Sequence, residues 1–250
     1  PMRFLYILFF FIPFTLFGQN QTDSKGRKQG EWVKYYENSN VPMYKGQFID
    51  NKPTGKFVYY YPSSKIKAIV NHDIKTGRSE SYMYHENKNM MAFGIYKNQK
   101  KDSVWTHYGP SERLSFKETY KNDVLRGKKT IYYVPEDPYD KRVEVAQEMN
   151  FENGRLNGEA KDYFPGGAIK KECIYKEGVY DGSVKHYHPT GGVSLVERWK
   201  DRQKHGWWMT YNTQGKEIGR TYYYNGKILE GDFLKRHLAR MKKEGINPND

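Results

Sequence analysis

Apolar and polar residues alternate along most of the chain in short segments with the two-residue period of a β-strand. The segment G-E-W-V-K-Y-Y at 30–36 and the segment K-A-I-V-N-H-D at 67–73 are examples. Clusters of Pro, Gly, Ser and Thr separate the segments, as at 62–65 and 189–192, and such clusters reverse the chain direction. The pattern predicts a meander of β-hairpins in which strands and turns alternate.

The first strand of each hairpin recurs as a repeat that begins with a glycine. These repeat glycines are Gly30, Gly55, Gly77, Gly127, Gly158, Gly182 and Gly206, and Ser103 stands in the glycine place of one further copy. Five residues later every copy carries a tyrosine, namely Tyr35, Tyr60, Tyr82, Tyr108, Tyr132, Tyr163, Tyr187 and Tyr211. Successive tyrosines lie 25, 22, 26, 24, 31, 24 and 24 residues apart, and the insertion at 134–145 accounts for the longest interval. The repeat predicts about eight hairpin units.

An isolated hairpin is only marginally stable in water, so each unit must bury aromatic surface against its neighbours. A tyrosine ring buries roughly 150–250 Å². We therefore expect the eight repeat tyrosines to stack into a structural spine along the array. The glycine two residues before Trp32, Phe57 or Trp208, replaced by Ser103 before Trp105, predicts a left-handed backbone angle or a ring packed over it. The three-residue step from Trp32 to Tyr35 requires either two occupied faces or a bulge.

The two ends of the chain depart from the repeat. Met2 and Arg3 precede an apolar run at 4–17, and Gly18 and Gln19 offer a cleavage point, which is the layout of a signal peptide. An uncleaved anchor and a buried strand are the alternatives. At the other end, 230–250 has helical spacing, with Asp232 as the expected N-cap and Gly245 as the expected stop. This helix is expected to cap the sheet, and membrane docking is its alternative role.

These patterns predict an all-β chain with a signal peptide at 1–18, a repeat array at 19–229 and a helix and tail at 230–250. The location predicted from the leader is the periplasm, the cell envelope or the extracellular space. Cys173 is the single cysteine, so an intramolecular disulfide is excluded, and no cysteine stands at the cleavage point to carry a lipid anchor. The net charge of +13 is spread evenly and is typical of a solvated face or of a surface for anionic partners. Export argues against nucleic acid as a partner.

The pattern N-G-K-x-x-G-x-W-x-x-Y-Y, followed by a turn and a charged strand, resembles the MORN-repeat variant. Many bacterial proteins with this repeat are described as YwqK-family antitoxins. The resemblance spans roughly 25–226, with the best copies around Gly30, Gly55, Gly158 and Gly206. It implies stacked hairpins in an elongated, twisted antiparallel sheet that serves as an interaction module. An antitoxin role fits poorly with an exported chain.

Catalysis requires groups outside the repeat rhythm that converge on one site. His186 and His188 form the one local histidine pair, and alternation places both on one face with room for a metal, but no third ligand is evident. The motifs of common hydrolases, phosphate loops and zinc proteases are missing from the sequence. We therefore expect no catalytic residue, no cofactor, no bound metal and no small-molecule substrate.

The expected function is that of an exported, non-catalytic scaffold that binds another protein or an envelope surface. A basic module for anionic lipid or cell-wall glycan is the first alternative, and an antitoxin-like inhibitor of a partner protein is the second. Trp105, Trp207 and Trp208 are the rings expected to face a partner if they lie off the packed face. A place for these rings in the core is the competing expectation.

Overall fold

The computed structural model describes residues 18–137 and 139–249. The predicted signal peptide at 1–18 therefore lies almost entirely outside the described residues. The strands are β1 Gln21–Thr22, β2 Lys28–Tyr35, β3 Pro42–Ile49, β4 Lys52–Tyr60, β5 Ile66–Asp73, β6 Arg78–Tyr84, β7 Met90–Lys97, β8 Lys100–Tyr108, β9 Leu114–Lys121, β10 Val124–Tyr132, β11 Val145–Glu152, β12 Arg155–Tyr163, β13 Ile169–Lys176, β14 Val179–Tyr180, β15 Gly182–Tyr187, β16 Val193–Lys200, β17 Gln203–Lys204, β18 Gly206–Tyr211, β19 Glu217–Tyr224 and β20 Lys227–Leu229. One helix, α1 Gly231–Glu244, follows them.

All strands belong to one sheet, and strands that follow one another pair antiparallel, except that β14 and β15 both pair with β13 and β17 and β18 both pair with β16. The chain is thus a meander of hairpins, and the predicted all-β fold with a short C-terminal helix is confirmed. Two long strands are interrupted at one residue each, at Asp181 between β14 and β15 and at His205 between β17 and β18. Alternation gives the sheet two distinct faces. We call the face with Trp32, Phe57 and Trp105 the aromatic face and the opposite one the tyrosine face.

Along one edge of the sheet, two-residue turns join the strands. Both turn residues have positive φ, as at Asp50 (51°) and Asn51 (65°) or Asn98 (51°) and Gln99 (64°). This geometry defines a type I′ turn, whose twist matches that of the flanking strands. Asn and Gly occupy many of these positions because they tolerate positive φ better than other residues.

The repeat glycine marks a bulge a few residues after each tight turn. Residues 55–57 oppose the single residue Gly46, and residues 103–105 oppose Gly94. Gly55 has a φ of 64°, and Ser103 adopts 62° in the same place although it is not glycine. Left-handed φ is therefore a requirement of the bulge, which explains why glycine recurs there.

A second irregularity precedes the turn at the other edge. The register shifts at each repeat tyrosine, for example between Lys34 and Tyr35 and between His107 and Tyr108. Because the extra residue lies on the partner strand, alternation along the repeat strand continues from Trp32 to Tyr35. The large ring and the tyrosine therefore lie on opposite faces, and both faces of the sheet are used.

The third copy has a different register from the one expected. Its shift lies between Met83 and Tyr84, so Tyr84 and not Tyr82 is the equivalent of Tyr60 and Tyr108. With Tyr84, the intervals on both sides become 24 residues. The β5–β6 pairing has no bulge, and Gly77 lies in a longer turn instead. The longer turn takes up the residues that the bulge uses in the other copies.

The interior is thin. The buried apolar side chains among the described residues are Val33, Phe57, Ala68, Val70, Ala92, Trp105, Ala160, Cys173, Val184, Val196, Tyr222 and Met241. Most of them lie on the aromatic face, in the rows that run across the strands. Cys173 packs with Ala160 and Val184, as a small buried residue should.

Helix α1 packs on the tyrosine face at the end of the array. Tyr222 is buried beneath it, and its hydroxyl lies 3.2 Å from His237 Nε2 and 3.1 Å from the carbonyl of Pro248. The helix begins two residues earlier than expected, with Glu230 and not Asp232 as N-cap, and Gly245 ends it with a φ of 69°. This helix shields the last strands of the array.

Candidate functional site

A row of large rings crosses the aromatic face at the position two residues after the repeat glycine. Trp32, Trp105 and Trp208 each lie beneath the ammonium group of the lysine four residues earlier. The distances from Lys28, Lys101 and Lys204 to the ring centroids are 4.6, 4.6 and 4.4 Å. A cation over an indole is stabilising. In the sequence, a lysine stands two residues before the repeat-glycine position in the three copies with tryptophan in this row. The alternation pattern alone did not predict its contact with the ring.

Two glycines outside the repeat pattern make room for the rings. A Cβ on Gly46 would lie 2.5 Å from Cγ of Phe57, and a Cβ on Gly94 would lie 2.6 Å from Cε3 of Trp105. Carbon atoms in contact normally stand about 3.5–4.0 Å apart. Each ring therefore rests on the backbone of the neighbouring strand.

The third copy has no ring in this row. Ser81 occupies the position that Phe57 and Trp105 hold on either side, and it pairs with Val70 and Gly94. The neighbouring side chains Ala68 and Ser79 are also small. The result is a groove of ≈ 640 Å³ that crosses the aromatic face. A groove of this volume is typical of binding sites.

Polar atoms lie at the floor of this groove. Ser81 is fully buried, and neither its Oγ nor Nε2 of His72 has a hydrogen-bond partner. Nδ1 of His72 lies 2.8 Å from Oγ of Ser79, which fixes the imidazole. Burial holds the pKa of His72 below its ordinary value, so the ring is neutral at neutral pH. Tyr59 and Tyr96 also line the groove, and burial raises the pKa of both hydroxyls.

A buried carboxylate lies further along the aromatic face. Glu118 accepts hydrogen bonds of 2.8 Å from Nζ of Lys129 and from the hydroxyl of Tyr120. Burial opposes its ionisation, but these two bonds and the positive charge of Lys129 together hold the pKa of Glu118 below its ordinary value. Burial, together with the bond to Glu118, raises the pKa of Tyr120 to about 12. The carboxylate is fully engaged by its neighbours, which indicates a structural role.

The repeat tyrosines line the tyrosine face near the edge with the longer turns. None is buried, and Tyr35 is 49% exposed. Tyr163 and Tyr187 donate hydrogen bonds to Glu148 and Glu172 on the preceding strand. The expectation that these rings form the interior is corrected, because all of them lie on the face opposite the row of large rings, and all but Tyr82 lie at a strand end.

In five copies the residue after the tyrosine at the strand end forms a contact between copies. Its side chain reaches the carbonyl of the tyrosine in the next copy. These hydrogen bonds join Tyr36 to Tyr60, Tyr61 to Tyr84, His85 to Tyr108, Tyr133 to Tyr163 and His188 to Tyr211, at 2.6–3.0 Å. We call this series the carbonyl ladder. A carbonyl only accepts, so His85 and His188 donate through Nε2. The sequence showed an aromatic position here but not its partner.

The three candidate tryptophans have different surroundings. Trp105 is 0% exposed, so its expected contact with a partner is wrong: Gly94 lies beneath its ring and Lys101 above it. Trp208 is half-buried on the aromatic face and stays a candidate contact. Trp207 is half-buried on the tyrosine face, against Tyr222.

The histidine pair does not converge on a common site. Nε2 of His186 lies 3.2 Å from Glu197, whereas His188 belongs to the carbonyl ladder. Among the described residues no group of three or more metal-ligating side chains is close enough to hold an ion. In the same part of the chain, no helix has the length and apolarity needed to cross a membrane.

No curated protein matches the chain. A solved structure of the GtfA/B complex bound to UDP and GlcNAc is 12% identical over 61% of this chain and 25% of that one, with a TM-score of 0.16. The TcdB2-TccC3-Cdc42 structure is 10% identical over 83% of this chain and 13% of that one, with a TM-score of 0.20. The chain thus spans a quarter or less of each of these structures.

A family model gives a more local match. Residues 156–177 match the model described as MORN repeat variant. This segment contains most of β12 together with β13, the hairpin that carries Gly158 and Tyr163. Its glycine bulge and its shift before the tyrosine are the same features that recur along the array. The match supports MORN-type repeats.

Proposed function

We propose that this chain is a non-catalytic scaffold that binds an acidic protein through its aromatic face, outside the cytoplasm. The observation that carries the proposal is the recurrence of rings beneath lysines along one side of a continuous sheet. Protein interfaces are enriched in aromatic residues at their centre. The net charge of +13 favours an acidic partner.

A photo-crosslinking residue at one exposed position on each face tests which face binds. Lys34 lies on the aromatic face, and Lys56 on the tyrosine face is the matched control, since both side chains are exposed. In cells that produce the chain, we expect a protein adduct from position 34 and little from position 56. Equal adducts from both positions, or adducts from position 56 alone, would contradict the assignment.

The extracytoplasmic location rests on the sequence of the first 18 residues. A fusion of these residues to a reporter enzyme that is active only after export should be active. The same fusion with Leu8→Arg, which places a charge inside the apolar run, should be inactive. Equal activity of the two fusions would remove this part of the proposal.

A second candidate function comes from α1. Phe233 is 71% exposed on this helix, next to Arg236, and Lys235 lies beside them. An exposed ring among cations suits an anionic lipid surface. Co-sedimentation with anionic vesicles should then be lost in Phe233→Ala and at moderate salt, because salt screens exposed charges. Binding that is unchanged by both would exclude this role for α1.

A further inference from the structure

The groove at Ser81 exists because the third copy lacks the ring found in the copies on either side. Other copies without this ring cover the position in another way. Ala160 and Val184 lie beneath Tyr175, Tyr180 and Trp199, whose rings pack against one another. At Ser81 no ring of the chain fills this position, and a groove of ≈ 640 Å³ with room for a side-chain ring is left, lined by Tyr59 and Tyr96.

Unpartnered polar atoms at the floor of the groove favour a ligand that carries a hydrogen-bonding group. A buried polar atom without a partner costs free energy, and two such atoms, Oγ of Ser81 and Nε2 of His72, lie in this one groove. Ser81 is 0% exposed, and the bond from His72 to Ser79 leaves Nε2 as the free position of the imidazole. A group that satisfies these atoms must both occupy the space of a ring and carry a polar atom.

We propose that the groove receives a tyrosine side chain of the partner protein, with its ring against the lining side chains Tyr59 and Tyr96 and its hydroxyl at Ser81 and His72. The inference rests on the proposed function, since it names the anchor through which the aromatic face binds its partner. The chain itself places an aromatic ring at the equivalent position of the adjacent copies. Aromatic anchors in pockets supply a large share of binding energy at interfaces.

The lining of the groove distinguishes tyrosine from other anchors. A phenylalanine would fill the space but would leave Ser81 and His72 without partners. A carboxylate or ammonium would have to lose its hydration beside the mostly apolar side chains Val70, Ala68 and Met83. A hydroxyl both donates and accepts, so it suits a serine hydroxyl and a neutral imidazole together.

The test uses p-cresol, the side-chain analogue of tyrosine, and toluene, the analogue of phenylalanine, titrated into the purified full chain. Binding is followed by NMR shifts of the His72 imidazole and of the amide of residue 81. We expect saturable binding of p-cresol, tighter than that of toluene by roughly fivefold, as one net hydrogen bond provides. Methyl glucoside is titrated in parallel, because a sugar ring is the competing occupant.

Two substitutions at one position separate the space from the polar contact. Ser81→Ala should leave toluene binding unchanged and reduce the preference for p-cresol, because the hydroxyl then keeps only its contact with His72. Ser81→Trp restores the ring of the adjacent copies and should abolish binding of both compounds. Ser111→Ala, in a turn away from the groove, is the control and should match the unaltered chain. Since alanine is smaller than serine, the first variant keeps the test valid if the tryptophan variant fails to fold.

The results distinguish a failure of the tyrosine anchor from a failure of the proposed function. Absence of p-cresol binding, equal binding of p-cresol and toluene in the unaltered chain, or tighter binding of methyl glucoside would each overturn the tyrosine anchor. Crosslinking at position 34 would still report on the protein-binding scaffold. If the compounds bind as expected but crosslinking places the partner on the tyrosine face, the proposed function fails while the groove retains its specificity.

Discussion

Gly94→Ala is the substitution for which the structure gives the clearest expectation. The new Cβ would lie 2.6 Å from Cε3 of Trp105 and still closer to two other ring atoms. The ring has no space to retreat, because Tyr96 packs on it at 4.9 Å and Lys101 covers it. Overpacking of this kind costs about 1–3 kcal/mol. We take about 2 kcal/mol as the expected loss of unfolding free energy.

Hydrogen exchange measured residue by residue is the suitable assay, because an array of repeats need not unfold in a single step. A loss of 2 kcal/mol corresponds to about 30-fold faster exchange, since about 1.4 kcal/mol equals a factor of ten. The acceleration should be confined to β7, β8 and β9, next to the altered ring. Strands β15 to β19 should exchange as before.

Gly192→Ala is the matched control. No atom lies within 4 Å of a Cβ built on Gly192. This change should be neutral or should stabilise by about 0.4–1 kcal/mol, because alanine restricts the unfolded chain. If Gly94→Ala and Gly192→Ala change exchange alike, the ring of Trp105 does not rest on Gly94 and the account of the interior fails.

Three further predictions concern other levels of the structure. Trp105→Ala should cost about 3–5 kcal/mol by hydrogen exchange in the strands around the altered residue, whereas Tyr35→Ala should cost under about 1 kcal/mol, because only the first ring is buried; similar costs would restore the tyrosines as the interior. Ser103→Gly should raise local stability by about 1 kcal/mol by removing a left-handed φ of 62° from a non-glycine residue, and faster exchange in β7 and β8 would refute this. Burial and the bond to Glu172 raise the pKa of Tyr187 from 10.0 to about 12, so its contribution to stability is complete below pH 10 and is lost as pH rises towards 12. The absorbance of tyrosinate should therefore show a late-titrating group that is missing in Tyr187→Phe, and identical titration curves would contradict the assignment.

The strands, turns and repeat were readable from the sequence because they follow from local rules. Alternation has a period of two, Asn and Gly mark the tight turns, and one glycine marks each bulge. The packing of the rings was not readable in the same way. Tyrosine recurs at the end of a strand, where in five copies its backbone carbonyl accepts the hydrogen bond of the ladder, whereas the interior residue varies from Trp32 to Ser81 to Val184. The residue that is invariant along the repeat therefore marks the strand ends at one edge of the sheet and not the buried core.

Which face of the sheet is buried also depends on contacts between residues that are distant in sequence. Gly46 and Gly94 each stand nine residues before the repeat-glycine position, at Gly55 and Ser103, but their importance appears only when the ring of the following strand is placed over them. Glu118 is similar, since its burial is acceptable only because Lys129 and Tyr120 reach it from other positions. The lysines over Trp32, Trp105 and Trp208, by contrast, each stand four residues before the ring in the sequence. Aligning the copies is therefore enough to find them.

The third copy shows how an error in register hides a site. Tyr82 and Tyr84 are two residues apart, so both fit strand alternation and both lie on the tyrosine face. Taking Gly77 as the repeat glycine makes Ser79 the ring position and places Tyr82 in the tyrosine row. Taking the shift before Tyr84 as the reference makes Ser81 the ring position, directly between Phe57 and Trp105. Only the second register makes the missing ring visible. A uniform spacing of 24 residues from Tyr60 to Tyr132 supports it independently of any contact, because each hairpin then adds the same number of residues to the sheet.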